Sequence, residues 1–349
     1  MRYVYTSLYH IRGLSPFSPA KDEEIFANSA QETQAVMTSD PAPLCSQLDN
    51  SRALATMLLS GLIGGENEAG TIDERLFRQV QRLRDERAKK YGACVFLYFQ
   101  ASGQTAPIAP HVEVDCGSFV LALDGFPKGD IRNRHEPLAR KILAAISLGV
   151  ASVVAFEQVS AATVFFADDG KPVYGFNFEG GTPEVLVSRR ASDEDLAETR
   201  QLAARIAKDD ALESVIRLLN ESMEPDQEKL RRFLSAWMAL EVFVNSNFGT
   251  YAGRFWNSLS AVVSVPIRER YLKRIHAVMR DKYKSVDKFV VISAELDPAE
   301  ADGDIRIFQR GKELRDRFSH GEAIDESALP VADVQGLVRK FLRLHVNRP

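Results

Sequence analysis

The sequence predicts an α+β region over residues 1–190, a helical connector over 191–224 and an all-α bundle of four to five helices over 225–349. Three observations predict this division. The chain has 349 residues, more than one hydrophobic core usually fills, so two domains are expected. Apolar runs with strand character mix with helical patterns before residue 190, whereas beyond 225 apolar residues recur at helical spacing without a strand bounded by hairpin turns. Charge divides the chain as well: residues 225–349 carry 21 Lys and Arg against 17 Asp and Glu, a balance of +4, which leaves −8 on the first 224 residues of a chain with net charge −4.

The first 70 residues contain Pro16, Pro19, Pro41 and Pro43 and a loop-like ENEAG at 66–70, and short helices are expected at 21–37 and 50–62. Gly61, Gly64 and Gly65 mark a helix exit and turn. A helix follows Thr71, with acidic residues in its first turn and Lys89, Lys90 and Gly92 near its end, as the helix dipole and the C-cap preference for glycine favour. CVFLYFQ at 94–100 reads as a strand, as do HVEVDC at 111–116 and SFVLALDG at 118–125. A helix over 136–149 carries Pro137 in its first turn. Residues 153–180 read as strands around a tight turn at Asp169-Gly170. Ser192 with Asp193, Glu194 and Asp195 forms a capping sequence for the connector helix, which is interrupted near Asp209-Asp210. Pro225 then opens a helix that buries Phe233, Leu234, Trp237, Leu240, Val244 and Phe248 and ends at Gly249. Helices over 266–284, 285–295, 304–318 and 328–346 complete a compact bundle.

Composition is that of a soluble globular protein, 45% hydrophobic and 26% charged. No apolar run reaches the roughly 18 to 20 residues of a membrane span, and the polar start MRYVYTSLYHIRG lacks an apolar signal core, so a cytoplasmic location is expected. Cys45, Cys94 and Cys116 show no CxxC or Cys/His spacing and read as reduced, mostly buried thiols. His111, Glu113 and Asp115 alternate along a strand, but such an alternation is more often the wet side of a half-buried strand than a metal site. Neither a metal nor a cofactor is expected. The chain has no phosphate loop and no nucleophile elbow. Gly117-Ser118 is not followed by the paired aspartates of a nucleotidyltransferase.

The strongest chemical signal is GKELRDRFSHGE at 311–322, in which Arg315 is followed after four residues by His320. An arginine forks onto phosphate and a histidine moves a proton near neutral pH, which together suit metal-free RNA cleavage by a ribose 2'-OH. On one ideal helix the two side chains stand about 140° apart. Either the helix ends near His320, where Ser319 and Gly321 allow it, or a second subunit completes the site. The same residues also suit a surface arginine paired to Glu313 or Asp316 and a helix-end histidine favoured by the dipole.

The run from Arg315 to His320, with a polar residue after the arginine and a glycine after the histidine, resembles the Arg-x4-6-His signature of the HEPN family. The earlier AWMALE, with Trp237 and Leu240-Glu241, resembles the W-x-x-L-E pattern of its abortive-infection and Apea-like groups. The resemblance covers about 125 residues. It implies a homodimer whose facing helices bring two Arg/His pairs into one cleft, acting without metal as an endoribonuclease, often in phage defence or toxin systems with a protein partner such as an antitoxin. It further implies that Arg315 holds the scissile phosphate, His320 transfers the proton and Asp316 orients them, with Glu241 or Asn245 in support. Some HEPN domains bind without cutting.

Residues 267–288 add Arg268, Arg270, Lys273, Arg274, Arg280 and Lys282 interleaved with Tyr271 and Tyr283, a pattern suited to an RNA backbone. A solvated helix face with Ile275, Val278 and Met279 inward accounts for it equally well.

Overall fold

A computed structural model describes all residues except 19–20, 63–70, 107–111, 116–117, 122–125, 151–153, 167–169, 171, 179–190, 225–226, 263–269, 271–272, 275–282, 323 and 349. The chain forms two compact units, one of Met1–Leu143 and Val150–Ala203, the other of Ala144–Gly149 and Ala204–Pro349.

The first unit is built on strands β1 (Arg2–Arg12), β2 (Asp22–Asn28), β3 (Thr33–Thr38), β4 (Val95–Gln104), β7 (Ala155–Phe166) and β8 (Pro172–Phe178), which form an antiparallel sheet in the order β2-β3-β4-β1-β7-β8. The first residues of the chain thus supply its central strand. β1 is buried on both faces, so it lacks the alternation that marks a half-buried strand. On one face Leu8 lies with Phe96, Tyr98, Val159 and Ala162, covered by Cys45 just before helix α1 (Ser46–Leu62), by Leu48 within it and by Tyr91 at the end of helix α2 (Ile72–Tyr91). On the other, Tyr3 and Tyr5 meet His135 of helix α3 (Lys128–Gly149) at ring separations of 5.8 and 5.9 Å, and Tyr3 Oη lies 3.0 Å from His135 Nε2. Strands β5 (Val112–Asp115) and β6 (Ser118–Leu121) form a separate two-stranded sheet.

Two expectations fail here. Residues 21–37 are not a helix but part of the β2–β3 hairpin. Their Glu, Gln and Ala favour a helix, yet pairing with β4 buries Ala35, Val36 and Met37, and packing outweighs propensities of a few tenths of a kcal/mol. Pro137 lies inside α3 and not in its first turn, because the helix begins at Lys128, with Ile131 N donating to Pro127 O at 2.9 Å. Apart from β1, which the sequence reading did not place, and Gly61, which lies inside α1 rather than at its exit while Gly64 and Gly65 lie outside the described residues, the described early elements agree with the sequence. Thr71 and Glu74 make a reciprocal capping box at the start of α2, and Gly170 takes the left-handed conformation between β7 and β8. At the start of helix α4 (Asp193–Ile206), Ser192 N donates to Asp195 Oδ2 at 2.8 Å and Asp195 N to Ser192 Oγ at 3.1 Å.

The interruption expected near Asp209-Asp210 is a 3-10 turn over Asp210–Leu212, with the Asp209 carboxylate accepting from Ala211 N, before helix α5 (Glu213–Ser222). Helix α6 then runs from Lys229 to Val262. Pro225 lies outside the described residues, and Gly249 does not end the helix. The chain remains helical through Gly249 because Tyr251, only 1% exposed, is anchored beyond it, its hydroxyl 2.6 Å from His345 Nδ1. Helices α7 (Ser285–Leu296), α8 (Ala301–Ser319) and α9 (Val331–Val346) match three of the expected segments, while most of 266–284 lies outside the described residues. Their core stacks Phe289 on Phe308 at 4.3 Å, with Trp237 4.9 Å from Phe308 and Phe341 5.0 Å from Phe289. Among the described residues no helix is long and apolar enough to cross a membrane.

Candidate active site

α6 and α8 meet where Gly311 passes the Trp237 indole. A Cβ at 311 would stand 2.9 Å from Trp237 Cζ3 and 3.0 Å from Cε3, so only glycine allows this approach. One turn further along α8, Arg315 reaches α6: its Nη2 donates to Glu241 Oε1, and its guanidinium carbon lies 5.8 Å from the Trp237 ring centroid. Nη1 is 3.0 Å from Asp316 Oδ1. Arg315 Nε and Trp237 Nε1 are both shielded from solvent and have no hydrogen-bond partner among the described residues.

Asp316 is shared. Lys312 Nζ donates to its Oδ2, and this bond, with the Arg315 charge beside it, holds the Asp316 carboxyl below its usual range against a smaller opposing effect of burial. Four residues on, His320 caps the helix and is exposed. The end is a Schellman turn: Gly321, at φ 78°, donates from its N to Phe318 O at 2.9 Å, and Glu322 N to Arg317 O at 3.1 Å. The expected helix end is therefore present, but it does not fold His320 back toward Arg315. His320 N still donates to Asp316 O at 3.0 Å, so its Cα continues the helical path and the angular separation of about 140° persists. Arg315 faces α6, while His320 faces outward one residue past the helix.

Of the expected supporting residues, Glu241 joins Arg315, whereas Asn245 does not. Asn245 Oδ1 instead accepts from Lys288 Nζ of α7 at 2.8 Å, and the Lys288 ammonium lies 5.8 Å from the Phe248 ring centroid. Arg270, Lys273 and Arg274 are helical and exposed, and Arg268, Arg280 and Lys282 lie outside the described residues. His111 is likewise outside them, and no cluster of three or more metal-capable side chains occurs among the described residues. Sequence reasoning missed Lys312, although its i,i+4 spacing to Asp316 was readable, and Lys288, whose partner only the fold supplies. Comparison of the chain with family models, with curated proteins and with solved structures finds no match, so the site stands on its own geometry.

Proposed function

We propose that the C-terminal helical unit is a metal-independent endoribonuclease of HEPN type that acts as a homodimer. The observation that carries this reading is the division of labour at the end of α8: Arg315 is fixed from behind by Glu241 and Trp237, while His320 projects from the helix end about 140° away. In a single copy the two do not converge. Two copies packed about this helix end would set the histidine of one beside the arginine of the other.

In the reaction, His320 accepts the proton of a ribose 2'-OH, O2' forms a bond to the adjacent phosphorus, and the P–O5' bond breaks as the leaving O5' takes up a proton. Arg315 stabilises the charge that builds on the phosphate oxygens, and Asp316 holds its guanidinium. The acidic N-terminal unit supplies recognition of a trigger, a protein partner such as an antitoxin, or the RNA. RNA incubated with the protein in EDTA should yield fragments ending in 2',3'-cyclic phosphate and 5'-OH. Intact RNA across several sequences, or equal cleavage by wild type and His320→Ala, would overturn the reading.

The engagement of Arg315 by Glu241 and Asp316 of its own chain favours a second reading, a non-catalytic HEPN-like interaction protein that dimerises and binds RNA, nucleotide or a protein partner. It predicts a dimer that leaves RNA intact.

A further inference from the structure

Trp237, Glu241, Asn245 and Phe248 occupy positions 0, 4, 8 and 11 along α6, within about 80° of one another on an ideal helix. Each turn of this face carries a different partner. Glu241 holds Arg315, Asn245 holds Lys288, and the Phe248 ring packs on Tyr283 at 4.9 Å with a tilt of 57°. Phe248 and Tyr283 are both partly exposed, and Lys288 lies over the Phe248 ring. The two residues that hold these cations, Glu241 and Asn245, stand one helical turn apart on α6, roughly 6 Å along its axis, with an aromatic pair next to the second. A solvated helix face has no need of the aromatic pair, and a core would not leave it half open beside an ammonium.

We infer that Asn245, Phe248, Tyr283 and Lys288 form a subsite for an unpaired nucleotide next to the phosphate held by Arg315, which makes single-stranded RNA the substrate class. The inference rests on the endoribonuclease reading and adds a specificity element to it. Lys288 takes the neighbouring phosphate, leaving the Phe248 ring face to the base, and Asn245 contributes its amide. Aromatic stacking accepts any base but only one that is unpaired, whereas phosphate contacts serve single and double strands alike. The row therefore selects strandedness, not sequence.

The test uses the full chain carrying His320→Ala, so that RNA stays intact, with fluorescence anisotropy of a labelled single-stranded RNA and of its duplex. Phe248→Leu with Tyr283→Leu should weaken single-strand binding by about tenfold or more and leave duplex binding unchanged. Phe248→Trp, which keeps a ring, should retain the affinity and shows that loss in the double variant is not a folding defect. Lys288→Gln should lower the salt slope of single-strand binding by about 0.7. If the double variant binds both RNAs as the parent does while the wild type cleaves RNA, the subsite is wrong and the ribonuclease reading stands. If the protein neither binds nor cleaves RNA, both fail.

Discussion

Arg315 has neighbours of three kinds: a carboxylate on α6, a carboxylate on its own helix and an indole beneath. Its placement depends on Gly311 as much as on charge. Gly311→Ala sets a methyl against the Trp237 ring and 3.4 Å from Val334 Cγ2, in a packed region that has little room to yield. This variant should lose about 1–3 kcal/mol in chemical denaturation and alter the near-UV spectrum of tryptophan. An unchanged midpoint and spectrum would show that α8 can shift away at no cost. Glu241→Gln, which keeps a hydrogen bond but not the charge, should cost about 1 kcal/mol, since the pair is half-buried. Much of this neighbourhood was legible in the sequence. Trp237 was readable from its helical spacing and Gly321 as a helix stop, while Glu241 was singled out only by the resemblance of AWMALE to a HEPN pattern. Asn245 was assigned to the wrong neighbour because its partner Lys288 is 43 positions away and no local pattern links them.

At the level of elements, capping chemistry was the most legible feature, since Thr71/Glu74 and Ser192/Asp195 act over three residues. Glycine and proline punctuation misled wherever tertiary packing continued past it. α3 runs through Pro137 because Ile131, Ala139 and Ile142, at helical spacing with His135, are buried, and His135 itself meets Tyr3 and Tyr5 of the sheet. α6 runs through Gly249 because Tyr251 is anchored at its far side. Gly249 therefore weakens a helix that it does not terminate, and a Cβ there meets nothing within 4 Å. Gly249→Ala should raise stability by about 0.5–1 kcal/mol in urea denaturation; a destabilised variant would mean that the glycine serves a bend. β1 escaped the sequence reading for a different reason. It is covered on both faces, and the helices that cover it lie far away in the chain.

The whole molecule joins an acidic N-terminal part, residues 1–224, to a basic helical part, residues 225–349. In the sheet unit burial, with Arg134 beside it, pushes the His135 imidazole down to about 4, so the folded state holds this histidine neutral where the unfolded chain, with a value near 6.5, binds a proton. The unfolded state then takes up more protons between pH 6.5 and 4. The contribution of His135 to stability is therefore complete above pH 6.5 and is lost as pH falls toward 4. Thermal midpoints measured across that window should fall with pH in the wild type and fall less steeply in His135→Phe; parallel slopes would show that His135 is not responsible. Division into a mixed N-terminal part and a helical C-terminal part was legible from periodicity and charge. Which exposed faces would meet in the proposed dimer was not, because no local pattern in one chain encodes them.

The central claim is that Arg315 and His320 together cut RNA without metal. Its most direct test is RNA cleavage in EDTA by wild type, Arg315→Ala and His320→Ala, each checked for helical content by circular dichroism and for mass by sedimentation. Wild type should leave 2',3'-cyclic phosphate ends, while both variants remain folded dimers and lose activity by at least about a hundredfold. Equal cleavage by all three proteins, or none by any, would contradict it.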